Sequence, residues 1–323
     1  MDVSGATAFA APREEMNDLY QKINKYVYEI QMIEIDEYVD GMNRQKIDME
    51  EAYEMIIGAP DSEYNAIMNV WKGRFADPCL PFYKSSIIEK NESRAKAFYR
   101  KAVDLDVEGM AEAGDQYAQS CLGLMYRFGR GVDENNSTAL EWYRKAAKQG
   151  YADAQNNLGW MYRNGEGVDQ NDSTALEWFL KAAGQGHAHA QNSLGLIYAN
   201  GRGVNKNDST ALEWYRKAAE QGYDNAQNNL GVMYANGRGV DKNDSTAVFW
   251  YRKAAEQGHA GSQNNLGVMY ENGQGVDQND LTAVEWYRKA VEQCHAIAQC
   301  NLDFLTNKLS KEKNRKSGKK FQS

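Results

Sequence analysis

The chain has 323 residues, of which 42% are apolar and 25% charged, and a formal net charge of −8. That acidic balance argues against a nucleic-acid binder and for a soluble protein. No run of about 18 apolar residues occurs, so no membrane span is expected.

Residues 1–14 read as disordered. Met1 to Pro12 lacks a basic n-region and a sustained apolar h-region, so no secretory signal is expected and a cytoplasmic location is. Residues 15–90 form a divergent helical region. Leu19, Ile23, Tyr26, Ile30, Ile33 and Tyr38 recur mostly at three- and four-residue spacings, and Asp61-Ser62 could cap a helix running through Ile67 and Val70 to Trp71. The four prolines are Pro12, Pro60, Pro78 and Pro81, and none follows. Their absence beyond residue 81 suits continuous helical packing. Residues 91–114 then predict an extended capping helix, in which Phe98-Tyr99-Arg100-Lys101-Ala102 echoes Trp142-Tyr143-Arg144-Lys145-Ala146.

From about Asp115 to Cys294 the chain repeats itself. Trp142, Trp178, Trp214, Trp250 and Trp286 stand 36 residues apart. A fixed period of this size marks a solenoid, in which each unit buries its apolar stripe only against its neighbours. Each unit reads helix A, loop, helix B. In the second unit helix A runs roughly from Ala152 to Arg163, with Ala154, Leu158, Met161 and Tyr162 as its stripe. Asn164-Gly165-Glu166-Gly167 ends it, since glycine accepts the left-handed conformation that closes a helix. Helix B follows through Ala175, Leu176, Trp178, Phe179, Ala182 and Ala183. Thr174 and Glu177 have capping-box spacing, with Asp172 or Ser173 as alternative caps. Gly159 and Ala183 are read as close-approach points, with Trp178 and Tyr162 filling the wider gaps. Residues 295–307 predict a C-terminal capping helix, and residues 308–323 a basic disordered tail that could double as a nuclear import signal.

The frame A-x-x-x-L-G-x-x-Y-x-x-G-x-G-V followed by A-L-E-W-Y-R-K-A-A-x-Q-G closely resembles Sel-1-like repeats, relatives of the tetratricopeptide repeat. The match covers about residues 115–305, with five paired-glycine loops from Gly129/Gly131 to Gly273/Gly275. The resemblance implies an all-α, right-handed superhelical solenoid of antiparallel helix pairs. It also implies an adaptor that assembles protein complexes.

Competing chemistry is weaker on the residues. The G-x-G-V loops lack the preceding strand and third glycine of a dinucleotide fingerprint. The Asp169/Asn171/Ser173 spacing lacks the position-six glycine and position-twelve Glu of a calcium loop. His187, His259 and His295 share a repeat position with Tyr151 and Tyr223, which suits a packing residue better than a ligand; His189 is the fourth histidine. Cys79, Cys121, Cys294 and Cys300 are expected as free thiols, with a Cys294–Cys300 disulfide or metal pair left open. Sequons at Asn91, Asn135, Asn136, Asn171, Asn207 and Asn243 are read as helix-capping chemistry. No catalytic constellation appears, so neither enzyme activity, cofactor, metal nor small-molecule substrate is expected.

The remaining polar signal lies on helix A. Asn156, Asn192, Asn228 and Asn264 occupy one repeat position, beside a second row of Asn157, Asn229 and Asn265 that Ser193 interrupts. In the related tetratricopeptide superhelix the first helices line the concave groove. An exposed amide row there would hydrogen-bond an extended peptide backbone. The alternative is that these amides serve only helix ends and loops. Trp160 and Arg163, on neighbouring variable rows, are the expected anchors of a protein partner. The sequence therefore predicts a non-enzymatic adaptor. A regulatory subunit of an enzyme such as a cell-wall polymer synthase is the second reading, and a hydrolase a distant third.

Overall fold

The computed structural model describes residues 107–319, with side chains described through Lys311. The expectations for residues 1–14 and 15–90, and for most of 91–114, lie outside these residues. The described residues contain twelve α-helices and no strand, and belong to two compact units, divided in the chain between Asp169 and Gln170. In the first, α1 (Val107–Glu112) precedes α2 (Gln116–Phe128), α3 (Asn136–Lys148) and α4 (Ala152–Asn164). The second holds α5 (Asp172–Gly184), α6 (Ala188–Asn200), α7 (Asp208–Glu220), α8 (Asp224–Asn236), α9 (Asp244–Glu256), α10 (Ala260–Asn272), α11 (Asp280–Glu292) and α12 (Ala296–Lys319). Helices A are the even-numbered ones, and helices B are α3, α5, α7, α9 and α11.

The helix ends have clear local causes. Each helix B starts at an asparagine in extended backbone, whose side chain accepts from the Thr N–H three residues on, as Asn171 does from Thr174 at 2.9 Å. The same cap recurs at Asn135, Asn207, Asn243 and Asn279. The capping reading of the sequons is therefore right at Asn135, Asn171, Asn207 and Asn243. The Thr174/Glu177 capping box is not formed, because Thr174 is itself the third helical residue. Asparagine is among the strongest N-caps and takes the position first. Each helix A from α2 to α10 closes on a left-handed glycine, such as Gly237 at φ 65°. The second loop glycine is needed for space as well as conformation. A Cβ on Gly239 would stand 2.5 Å from the backbone of Asp208, at the start of the preceding helix B.

The histidine position is also a cap. Nδ1 of His259 accepts from Ser262 N–H at 2.9 Å, and those of His187 and His295 accept from the N–H three residues on. Tyr151 and Tyr223 fill the position without a side-chain cap. This is capping chemistry beyond the packing role expected. Cys294 takes the place of the glycine that ends the other helices B, and it is the one non-glycine residue at positive φ among the described residues, at 60°. Cys121, Cys294 and Cys300 are free thiols.

The core aromatic is not the tryptophan. Trp178, Trp214, Trp250 and Trp286 are half-buried, and each periodic tryptophan except Trp250 has the Lys three residues on lying over its ring. The next residue, Tyr143, Phe179, Tyr215, Tyr251 or Tyr287, is buried in every unit, whereas of the tryptophans only Trp142 is. Four of these tyrosines press onto a glycine of the preceding helix A. A Cβ on Gly231 would stand 2.6 Å from Tyr251 Cδ1, and Gly123, Gly195 and Gly267 meet Tyr143, Tyr215 and Tyr287 in the same way.

Helicity continues through Lys319, beyond the tail expected from residue 308. Leu302, Leu305 and Leu309 continue an apolar stripe that packs on Val284, Tyr287 and Ala290, and Lys308 Nζ lies 3.3 Å from Asp280 Oδ2. Lysine and glutamate then carry the helix on by propensity.

Two glycines separate packing from propensity. Gly231→Ala should destabilise by about 1–2 kcal/mol, because overpacking against Tyr251 outweighs the helix-propensity gain. Gly184→Ala, where an added Cβ meets nothing within 4 Å, should stabilise by up to about 1 kcal/mol. Opposite shifts of the urea midpoint are the expected result; shifts of the same sign would refute the packing account.

Candidate interaction surface

The asparagine row is not exposed. Asn156, Asn192 and Asn264 are buried and Asn228 is half-buried, which corrects the expected open ladder. In the second unit the two rows bond to each other. Asn229 Nδ2 donates to Asn192 Oδ1 at 3.1 Å, Asn265 Nδ2 and Ser262 Oγ both donate to Asn228 Oδ1, and Asn301 Nδ2 donates to Asn264 Oδ1 at 2.9 Å. Each bond joins one helix A to the next. The oxygens of these amides join repeats, and burial keeps most of the row from the open surface that a peptide backbone would need. In the first unit Asn156 Oδ1 is buried and accepts no hydrogen bond.

A second amide device was missed, although glutamine recurs as strictly as asparagine. Gln191, Gln227 and Gln263 are buried on helices A. Gln227 Nε2 donates to Ala219 O of the preceding helix B, and its Oε1 accepts from Gln257, the C-cap of the following helix B, at 2.7 Å. Gln191 and Gln263 repeat the relay. In the first unit Gln119 donates to Ala111 O and accepts from Gln149. Loop charges make a third link. Arg238 donates to Asp208 Oδ1 at 2.7 Å and to Ala199 O, and Arg202 lies 3.6 Å from Asp172. The guanidinium's hydrogen bond holds the Asp208 carboxyl below its usual range.

The variable part of helix A carries a different set of side chains. On α4, Trp160 and Arg163 are half-buried and stacked, the guanidinium carbon 4.8 Å from the ring centroid. On α2 of the same unit, Leu124 and Arg127 hold the matching repeat positions. Leu124 is buried, and Arg127 Nε donates to Glu166 at 2.7 Å. The first unit thus holds two separate pairs, Trp160 stacked with Arg163 on α4 and Arg127 of α2 bonded to Glu166 in the loop after α4. Val232 and Val268 are half-buried at the Trp160 position in the second unit, and Glu271 there accepts from the Tyr287 hydroxyl at 2.8 Å. No described helix is long and apolar enough to cross a membrane.

The Sel1 repeat model matches residues 82–107, 116–151, 152–187, 188–223, 224–259 and 260–293. Its first segment contains the Phe98–Ala102 echo, so six units match where five were expected with a divergent start. A Sel1 repeat protein from Oxalobacter formigenes is 35% identical, with a TM-score of 0.60 over 64% of this chain and 82% of that one. The protective antigen c5321 of uropathogenic Escherichia coli, which displays an SLR fold, is 30% identical with a TM-score of 0.57; the match covers 90% of this chain and 58% of the antigen. No curated protein matches the chain.

The Arg238–Asp208 pair makes stability depend on acid. A carboxyl held low when folded contributes stability above its unfolded pKa and loses it as pH falls through the folded value. Arg238→Gln should cost about 0.5–1 kcal/mol at pH 7, the scale of an exposed ion pair. The gap between wild-type and variant urea midpoints should close below the carboxylate range. A gap that persists there would refute the ionic account.

Proposed function

This chain belongs to the Sel1 repeat family, and on that premise we propose that it works as a non-enzymatic adaptor whose helices A hold a protein partner. Sel1 repeats generally mediate protein–protein interactions, and their fold is typically a scaffold. The observation that carries the reading is the division of labour on helix A. The recurrent amides are consumed in joining repeats, while the neighbouring positions vary from Trp160 to valine and from Arg163 to alanine or Glu271. Variation on a rigid periodic frame is how a repeat protein alters what it binds without altering its fold.

The surface proposed is the Trp160–Arg163 pair on α4, with Arg127 and Glu166 beside it. Tryptophan and arginine are the residue types enriched at interface hot spots, and a stacked guanidinium arrives with its rotamer already restricted. A folded protein surface or helix suits this site better than an extended peptide read by amides, because Asn192, Asn228 and Asn264 have their carbonyl oxygens occupied. Burial of Asn156 supports the same preference.

Crosslinking mass spectrometry from native lysate would name the partner. Recovery of one stoichiometric enzyme, such as a polymer synthase, would make the chain that enzyme's regulatory subunit. With the partner in hand, Trp160→Ala should lose about 2–4 kcal/mol of affinity by calorimetry, as a central hot spot does, while helicity stays unchanged. Unchanged affinity, together with loss on mutating residues 15–90, would move the binding surface to the N-terminal region.

A further inference from the structure

The second unit ends on a face built like its internal joints but apolar. Inside that unit each helix A offers the next one an asparagine acceptor and an aliphatic side chain. Asn264 takes a hydrogen bond from Asn301, and Val268 packs against the cluster that contains Leu305. One period on, Cys300 stands at the Asn264 position and Phe304 at the Val268 position, while Ile297 replaces Gly261. Phe304 is 67% exposed, Ile297 63%, and Cys300 is exposed as well. Leu281 on α11, at a position that is serine in the four preceding helices B, is 71% exposed. The glutamine relay stops here too. Gln299 is exposed and bonds Asp303 on its own helix, where the equivalent Gln263 is buried and bonds Ala255 O. Solenoid ends ordinarily carry a polar outer face for solubility.

We propose that this end face binds the same face of a second copy of the chain, forming a closed two-fold dimer. Continuity with the internal joint supports an occupant that covers α12 as α12 covers α10. The chemistry selects which one. An internal joint is directional, with a donor amide on the later helix and an acceptor amide on the earlier. Cys300 has lost that acceptor, so a further repeat of this kind has nothing to bond. An apolar face has no such polarity and can complement itself, as an isologous interface requires. The α2 face is not open to a second copy, because α1 covers it, with Val107 and Ala111 buried and Gln119 bonded to Ala111 O at 2.9 Å. Two α12 helices crossing antiparallel about Cys300 place Ile297 against Phe304, residues seven apart on one helical face. That direction also keeps the two basic segments from Lys308 to Lys319 apart, where a parallel pair would bring them together.

Sedimentation equilibrium on the full chain, from about 1 to 100 μM, tests the dimer. The wild type should reach twice the chain mass within that range. Phe304→Asp, and separately Ile297→Asp, should weaken the dimer about thirtyfold or more, as loss of a central hot spot does. Circular dichroism confirms that each variant keeps its helicity, and either variant alone decides the question if the other misfolds. In a Cys79→Ser, Cys294→Ser background, a short bismaleimide should join two chains through Cys300, and Cys300→Ser should abolish the product. A monomer at every concentration would overturn the proposal, including a monomer whose Cys300 is shielded from thiol reagents by residues 1–106. A dimer indifferent to both aspartates, or one that forms without the Cys300 crosslink, would equally overturn it.

Discussion

The repeat depends on the contact between a buried tyrosine of helix B and a glycine of the preceding helix A. Tyr251 lies where a Cβ on Gly231 would stand, so the two helices can approach only because that position has no side chain. Such a contact works at one spacing and one rotation. A helix turned by one residue would bring Leu230 or Val232 to the aromatic ring instead of Gly231. The other recurrent features hold the helices in that register. The asparagine caps fix where each helix B begins. Gly239 lets the loop lie against the start of the helix B before it, and the glutamine relay ties one helix A to the helices B on either side. Each device stabilises modestly, about 1 kcal/mol for a cap or a buried hydrogen bond. Recurrence in every unit makes them sum.

Burying so many amides commits them. A carboxamide out of water costs free energy unless both its donor and acceptor sides find partners. In the second unit Gln227 donates to a helix-end carbonyl and accepts from Gln257, so neither side is left for a ligand. The Asn228 carbonyl accepts from two donors of the next helix A. The polar groups that recur most strictly are therefore architecture, and the proposed recognition surface is drawn from positions that vary between repeats. Trp160 stacked with Arg163 is one such place.

Most of the fold was legible because period and punctuation are local. The 36-residue spacing, the helix limits near Ala152 and Arg163, the closing glycines and the asparagine caps all follow from the sequence and hold in the structure. What failed was the assignment of faces. Helical phase sorts residues into a buried side and an open side, a division suited to a helix lying on one layer. A helix A here meets a helix B and also the helices A before and after it, so Asn192 is buried although it does not lie on the Leu194 stripe. The sequence also left Trp178 and Phe179 side by side on helix B, and only Phe179 is fully buried. One residue is about 100° of rotation, and recurrence alone does not say which of two adjacent aromatics faces inward. The C-terminal helix outruns the expected end at residue 307 because Leu309 completes the Leu302–Leu305 stripe.

A stack of nearest neighbours must also end, and its last unit lacks half of the contacts that stabilise the others. At α12 the chain responds in two chemically different ways. Toward the interior, Leu305, Leu302 and Leu309 fasten the helix to α11, and Asn301 completes the amide joint to Asn264. Asp303 stands at the position that is glycine in the other helices A, and it is exposed. No helix B among the described residues follows to press a tyrosine there, so the constraint that requires glycine at Gly123, Gly195, Gly231 and Gly267 lapses. Toward the exterior, serine, glycine and asparagine give way to Leu281, Ile297 and Cys300. Relief from the packing constraint explains why a side chain is tolerated at these positions. It does not explain why the side chains are apolar, since exposed lysine or glutamate would suit a free end better. That preference is what a covered face would require.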